Sequence, residues 1–213
     1  GMSSIALSQA EDPEKVRDCL KKITLSSHHL IELINDVLDM SKIEKGKLEL
    51  AEAPFSLKEL LGDVESILSP QACAKKQELC FHNPKSPHDH LCGGAGRIRQ
   101  VLINLITNAI KYTPDGHSIH VTINETEFDD KKARYVFVCE DTGIGIRAED
   151  LPRVFEKGFT GYNGREENRS TGIGLYLCGK IMKRLDHGIR IESELGKGTK
   201  VFLELGRKKM DLY

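Results

Sequence analysis

Apolar residues recur at helical spacing in three long stretches of this chain and alternate at strand spacing in several short ones. In residues 97–113, Ile98, Val101, Leu102, Leu105, Ile106 and Ala109 follow an i, i+3, i+4, i+7 stripe, which predicts an amphipathic helix facing a core. In residues 13–45, Val16, Leu20, Ile23, Ser27, Leu30, Ile34, Val37 and Ser41 advance by alternating steps of four and three. That is the seam of a bundle or coiled coil, and Ile31, Leu33 and Leu38 broaden it. Asp12 and Pro13 supply an N-cap and an N1 residue, and Gly46 supplies the stop. So wide an apolar face needs covering, either by its own domain or by a second copy. A short helix is expected over residues 2–9. A third long stripe, Leu57, Leu60, Leu61, Val64, Ile67 and Leu68, follows the N-cap candidate Ser56.

Strand signals fill most of the remainder. Residues 47–53 read as an edge strand ended by Pro54, and 78–82 as a short strand. Residues 118–124 and 133–139 alternate and form a hairpin through 129–132. Residues 188–193 and 199–205 form another across Gly196, Lys197 and Gly198. Residues 83–96 read as loop. The end of the chain, 207–213, carries no strong pattern.

A polar feature interrupts this pattern. Asn104 and Asn108 lie four apart in the first stripe's helix, so they share a face, and Lys111 follows one turn later. Asn costs helix propensity because its side chain competes for backbone hydrogen bonds. Two neutral oxygen donors beside one mobile cation suit a magnesium–phosphate site. Two glycine turns flank the next segments: DTGIGI at 141–146 leaves a strand, and TGIGL at 171–175 opens a helix over 175–185. Gly143 and Gly145 allow backbone to approach a flat ring, Asp141 can accept from an exocyclic amine, and a helix N-terminus favours phosphate. Either glycine pair alone is an ordinary turn. Between them a short helix at 151–155 precedes a glycine-rich, charged lid, 157–170, which contains Arg165 and Arg169.

Composition narrows the class. The 213 residues suit one α/β domain plus a smaller helical piece. A net charge of −1 implies no strong attraction to nucleic acid or membrane. No apolar run approaches the roughly 20 residues of a membrane span, and no signal peptide is visible. The six cysteines, Cys19, Cys73, Cys80, Cys92, Cys139 and Cys178, form no C-x-x-C pair, which points to reduced thiols in a cytoplasmic setting. His82, His88 and His90 cluster near Pro84 and Pro87 without a second ligand pair, so a solvated loop is favoured over zinc.

These motifs, in this order, resemble the catalytic and ATP-binding domain of sensor histidine kinases, within the GHKL superfamily. NLITNAIKYT at 104–113 resembles the N box, DTGIGI the G1 box, Phe155 and Phe159 the F box, TGIGL the G2 box, and GKGT at 196–199 the final small-residue turn. The resemblance implies an α+β fold, a two-layer α/β sandwich of the Bergerat type, preceded by a helical hairpin that forms a dimeric bundle. It implies three parts: 1–46 as a partial dimerisation and phosphotransfer domain, 47–207 as the catalytic domain, and 208–213 as a tail. The family usually has an acidic residue two positions before the arginine that begins the N-box helix. Residues 93–97, GGAGR, have none.

ATP and Mg²⁺ are the implied cofactors. The resemblance assigns Asn108 to the metal, and Asn104 and Lys111 to catalysis and phosphate. It places Tyr112 against the nucleotide, Asp141 at the adenine amine, and Gly143, Gly145, Ile146, Phe155, Gly172, Gly174, Leu175 and Thr199 around the ligand. The implied activity is a protein histidine kinase that passes the γ-phosphoryl to a histidine outside this chain. The acceptor motif is expected just upstream of residue 1. His28 and His29 lie in the second helix without that motif, so self-phosphorylation is not expected. Implied partners are a second copy through the N-terminal helices and a response regulator or receiver domain, with no nucleic acid and no membrane contact from this segment. Related ATPases such as gyrase have a water-activating glutamate where this chain has Asn104, and a neutral amide is a poor general base. Two alternatives stay open: an ATP-sensing regulatory dimer without phosphotransfer, and a GHKL-type ATPase.

Overall fold

The computed structural model describes residues 1–46, 53–82, 89–129, 132–161 and 171–211. The expected strand start at 47–52, part of the 83–96 loop, the hairpin tip at 130–131 and most of the lid, 162–170, lie outside the described residues. The chain divides into two compact units, Gly1–Lys47 and Leu48–Tyr213.

The first unit is two helices, α1 (Met2–Ser8) and α2 (Pro13–Glu44), packed on each other. The Asp12 carboxylate caps α2 by accepting from the Lys15 N–H at 3.2 Å, with Pro13 at the first helical position. Gly46, at φ +66°, ends it. Cys19 is buried, a position the seam pattern did not include. The seam residues Leu20, Leu30, Ile34 and Val37 are exposed, Leu30 by 58%.

Among its described residues the second unit holds two sheets and three α-helices. β1 (Ala53–Ser56) pairs antiparallel with β3 (His90–Gly93). Both depart from the sequence reading. Pro54 sits within β1 rather than ending a strand, because a two-stranded ribbon has an outer side where a missing N–H costs nothing. β3 lies where a loop was expected. The main sheet runs β2–β4–β5–β7–β6, from β2 (Glu78–His82), β4 (Ser118–Asp129), β5 (Lys132–Asp141), β6 (Gly188–Glu194) and β7 (Gly198–Asp211). β2 is parallel to β4 and the other pairs are antiparallel. β7 continues to Asp211 and pairs Lys132 with Asp211, so the expected patternless tail is strand for most of its length.

Three helices cover one face: α3 (Leu57–Ala74), α4 (Ala95–Tyr112) and α5 (Gly174–Arg184). Alternation explains which face. Ile119, Val121 and Ile123 on β4, Tyr135, Phe137 and Cys139 on β5, and Leu203 and Leu205 on β7 are buried. The opposite face carries Lys200 paired to Glu140 at 2.8 Å, and Arg190 stacked 3.4 Å over the Phe202 ring. The buried stripe of α4 is the one read from the sequence, with Ile110 added. On α3, Ile67 is 47% exposed and Ala72 is buried instead. Glycine at the start of α4 gives no side-chain cap: Gly94 occupies that position, and a Cβ there would meet Leu185 Cδ2 at 2.9 Å.

α3 ends in a Schellman turn. The Gln77 N–H donates to Ala72 and the Lys76 N–H to Cys73, with Lys76 at φ +54°. A side-chain-bearing residue in this region costs about 1 kcal/mol or more relative to glycine. Lys76→Gly should therefore raise the urea midpoint with an unchanged slope, a gain of about 0.5–1 kcal/mol after the unfolded chain's added freedom. A lower midpoint would mean that the Lys76 side chain contributes more than its backbone costs. No helix among the described residues is long and apolar enough to cross a membrane.

Candidate functional site

The site is assembled where α4 ends, β5 ends and the β6–β7 turn comes back. The Tyr112 carbonyl, in the last turn of α4, accepts the Ile144 N–H at 3.1 Å. That bond docks the 141–146 turn onto the asparagine-bearing helix. A Cβ on Gly143 would lie 2.6 Å from the Tyr112 carbonyl oxygen, so only glycine permits this approach. Gly145, at φ +68°, is equally constrained: its Cβ would collide with the Glu194 carbonyl. From the other side the Gly196 N–H donates to the Ile144 carbonyl at 2.8 Å. The turn is thus held between α4 and the β6–β7 hairpin.

Asp141 closes β5 and is buried. One carboxylate oxygen accepts the Gly143 N–H at 2.9 Å. Burial pushes its pKa up to about 6, although the backbone N–H groups of Gly143 and Thr199 pull it down; Glu140 adds to the rise. Thr199, opposite Asp141 on β7, bonds through its hydroxyl to Ser193 Oγ at 2.9 Å. Ser193 Oγ also accepts the Ile146 N–H at 2.9 Å and donates to the Gly198 carbonyl at 2.8 Å. Ser193 was missed in the sequence because it sits in β6, five residues before the terminal turn's second glycine, with no motif of its own. Gly198 belongs to the quoted GKGT motif but carried no assignment there. Its Cβ would overlap the Asp141 carbonyl, so it lets β7 close on the carboxylate's own strand end.

Asn104 and Asn108 sit one turn apart on α4, half-buried beside the apolar stripe. Asn104 Nδ2 is buried and has no hydrogen-bond partner among the described residues. Such an orphan donor costs about 1–3 kcal/mol unless a ligand or water meets it. Lys111 Nζ lies 5.0 Å from the centre of the Tyr112 ring.

The second glycine turn packs against the segment that follows the 3₁₀ turn. The Gly158 N–H donates to the Gly172 carbonyl at 3.1 Å. Gly172, at φ +67°, packs so tightly on Gly158 and Phe159 that a Cβ would clash with their backbone. Phe155 follows the 3₁₀ turn Leu151–Arg153, shorter than the helix expected. A Cβ on Gly179 of α5 would stand 3.4 Å from its ring, a contact for which the sequence held no signal. Gly174 is different: it opens α5, and a Cβ there would meet nothing within 4 Å among the described residues. Leu175 lies half-buried in the same first turn. No side chain caps α5, whose first-turn N–H groups make the positive end of a helix dipole.

The donor set fits a nucleotide with a hard cation. Among the described residues no group of three or more His, Cys, Asp or Glu could hold a metal ion. Mg²⁺ is a hard cation that takes oxygen ligands and is commonly shared with substrate phosphates and water, and the asparagine side chains of α4 offer neutral oxygen donors of that kind. His82 Nε2 lies 3.2 Å from His120 Nδ1, a pairing the sequence did not suggest.

Residues 93–209 match the family described as histidine kinase-, DNA gyrase B-, and HSP90-like ATPase. The sensor protein GacS of Pseudomonas syringae pv. syringae is 34% identical over 93% of this chain and 22% of its own length. The signal transduction histidine-protein kinase BarA of Escherichia coli K12 is 33% identical over 86% of this chain and 20% of its own. The chain thus spans about a fifth of these relatives. Full-length ShkA in complex with AMPPNP superposes with a TM-score of 0.75 at 26% identity, covering 92% of this chain and 39% of that one. The catalytic domain of the histidine kinase ThkA, nucleotide free, gives 0.61 at 25% identity over 74% of this chain and 95% of that one. The docked glycine turns, the strand-end carboxylate and these likenesses converge: the chain belongs to the histidine kinase-, DNA gyrase B- and HSP90-like ATPase family and carries that family's ATP-binding domain.

Proposed function

We propose that this chain is the ATP-binding, phosphoryl-donating part of a protein histidine kinase of two-component signalling. The observation that carries the reading is the pair of neutral amides on α4. Asn104, with its orphan Nδ2, and Asn108 can orient phosphate and metal, and neither can act as an efficient base toward water. Phosphoryl transfer depends chiefly on positioning and charge stabilisation, so neutral amides at these two positions of α4 suit transfer better than hydrolysis. Asp141 accepts from the adenine amine. Gly143 and Gly145 bring backbone to the ring, with Ile146, Tyr112 and Thr199 beside it. Lys111 and the first turn of α5 at Gly174 and Leu175 meet phosphate. Phe155 and Gly172 hold the far wall. When bound, Mg²⁺ would neutralise phosphate charge, with Asn108 as its protein ligand.

Mixing the chain with a separate helix that carries an acceptor histidine, and following label from γ-labelled ATP, tests this. Label on that helix supports a kinase, label released as free phosphate an ATPase, and unchanged ATP an ATP-sensing module.

The N-terminal unit supports a second part of the proposal, a homodimer through α2. The seam residues Leu20, Leu30, Ile34 and Val37 stay exposed, and burying each aliphatic side chain contributes about 1.5–3 kcal/mol, enough over several positions to offset the entropy of association. Leu30→Glu with Ile34→Glu should give monomers that keep nucleotide affinity, read by sedimentation and calorimetry. A double variant that sediments like the parent would place the interface elsewhere. A receiver domain or response regulator is the proposed downstream partner. The chain also resembles, at 23% identity and a TM-score of 0.63, ThkA as solved in complex with the response regulator TrrA, a likeness of fold.

A further inference from the structure

The C-terminal ends of α3 and α4 meet behind the site, and one turn ties them together. Lys75 Nζ donates to three carbonyl oxygens at the end of α4: Ile110 at 2.6 Å, Thr113 at 3.1 Å and Lys111 at 3.2 Å. Gln77 Nε2 donates to Ile110 at 3.0 Å, to Thr113, and more distantly to Pro114 at 3.5 Å. The Ile110 and Lys111 carbonyls are among those a helix leaves unpaired at its end, where its dipole is negative and a cation is favoured. The left-handed backbone of Lys76 turns the chain so that the residues on both sides of it reach the same Ile110 oxygen.

The held segment is functional backbone. Lys111 is one of the residues whose carbonyl is gripped. Its neighbour Tyr112 offers the carbonyl on which the 141–146 turn docks through the Ile144 N–H. Thr113 lies against Gly143, where a Cβ would come within 3.1 Å of its hydroxyl. Lys75 is remote in sequence from every glycine motif, yet it restrains the stretch from which Lys111 projects.

We propose that Lys75, assisted by Gln77, is a positioning residue for the phosphate side of the nucleotide site, acting through the last turn of α4. The proposal rests on the nucleotide-site reading for its functional half. Its structural half is independent: without the ammonium the end of α4 loosens locally, while the sheet and Asp141 keep their places. A residue of merely general structural value would instead weaken the domain as a whole.

The experiment is Lys75→Met in the full chain, with Lys75→Arg as the conservative control. Hydrogen exchange at the Thr113 and Ile144 amides, which bond to Ala109 and Tyr112 carbonyls, should quicken about tenfold or more while core amides of β5 hold. ATP–Mg²⁺ affinity should fall about tenfold, and adenosine affinity should change less than about twofold. Lys75→Arg should restore both. Unchanged exchange at Thr113 and Ile144 overturns the proposal. So does a uniform rise across the domain with ATP and adenosine weakened alike. If the parent chain itself fails to bind ATP–Mg²⁺, the positioning role falls with the nucleotide reading, and the exchange comparison reports whether the clamp alone exists.

Discussion

Asn108→Ala should remove the magnesium dependence of nucleotide binding. Asn108 is the proposed protein ligand to Mg²⁺, and it lies beside the buried stripe of α4 rather than in it. Losing a partner that only orients a metal ligand already costs about 10–100-fold in metal affinity, so losing a ligand should cost about 100-fold or more. The fold should survive, because the substitution leaves Val101, Leu105, Ala109 and the rest of the packed face intact and replaces Asn by a better helix former. The measurement is calorimetric titration with ATP, with and without Mg²⁺, alongside thermal unfolding. The expected result is a variant whose affinity in Mg²⁺ matches its affinity without it. Preserved metal dependence with normal affinity would remove Asn108 from the site.

Asp141→Asn should weaken ATP binding and stabilise the empty chain, two effects of opposite sign from one substitution. A buried charge-assisted hydrogen bond is worth about 1.5–3 kcal/mol, so affinity should fall about tenfold or more. Stability follows from the raised pKa. Asp141 titrates at about 6 in the fold against 3.8 in the free side chain. Between those values the folded chain holds more protons than the unfolded one. The burial cost of the carboxylate is therefore fully present above pH 6, shrinks as pH falls through that window, and is gone below about 4. At neutral pH the relief in Asp141→Asn is about 2–3 kcal/mol at most, since each pKa unit corresponds to about 1.4 kcal/mol. The amide oxygen of Asn can still accept the Gly143 N–H. The difference in melting temperature between parent and variant should narrow from pH 7 to pH 5. Parent affinity for ATP should decline as pH drops below 6, because protonation replaces an acceptor by a donor. A variant with unchanged affinity would displace Asp141 from adenine recognition, and a pH-independent melting difference would contradict the burial argument.

The parts of this fold that were readable are those where one periodicity dominates. α4 was placed within two residues because its apolar stripe and its two asparagines occupy separate faces. The start of α2 was readable from Asp12 and Pro13, whose chemistry is local. β3 was not readable: four residues, His90–Gly93, sit in a stretch rich in glycine, proline and histidine, and pairing with β1 is decided by contacts 37 residues or so away in sequence. The end of β7 was hidden for a similar reason. Its alternation is broken by Arg207, Lys208 and Lys209, yet pairing with β5 carries it on. Ile67 follows the α3 stripe but emerges on its exposed edge, since a helix contacts its neighbours over a limited arc.

At the site, glycines were visible as glycines, but the structure separates their reasons. Gly143, Gly145 and Gly172 are needed because backbone crowds them, whereas no described residue crowds Gly174. Ser193 and Lys75 were invisible because their roles depend on partners brought together only by the fold.

The end of α4, Asp141 and the start of α5 are proposed to form a single ATP–Mg²⁺ site. Titrating the unaltered chain with ATP at pH 7.5, first with Mg²⁺ and then with excess chelator, tests it most directly. The prediction is saturable binding of one nucleotide per chain, markedly tighter with Mg²⁺ than without. No saturable binding, or the same affinity with and without the metal, would contradict it.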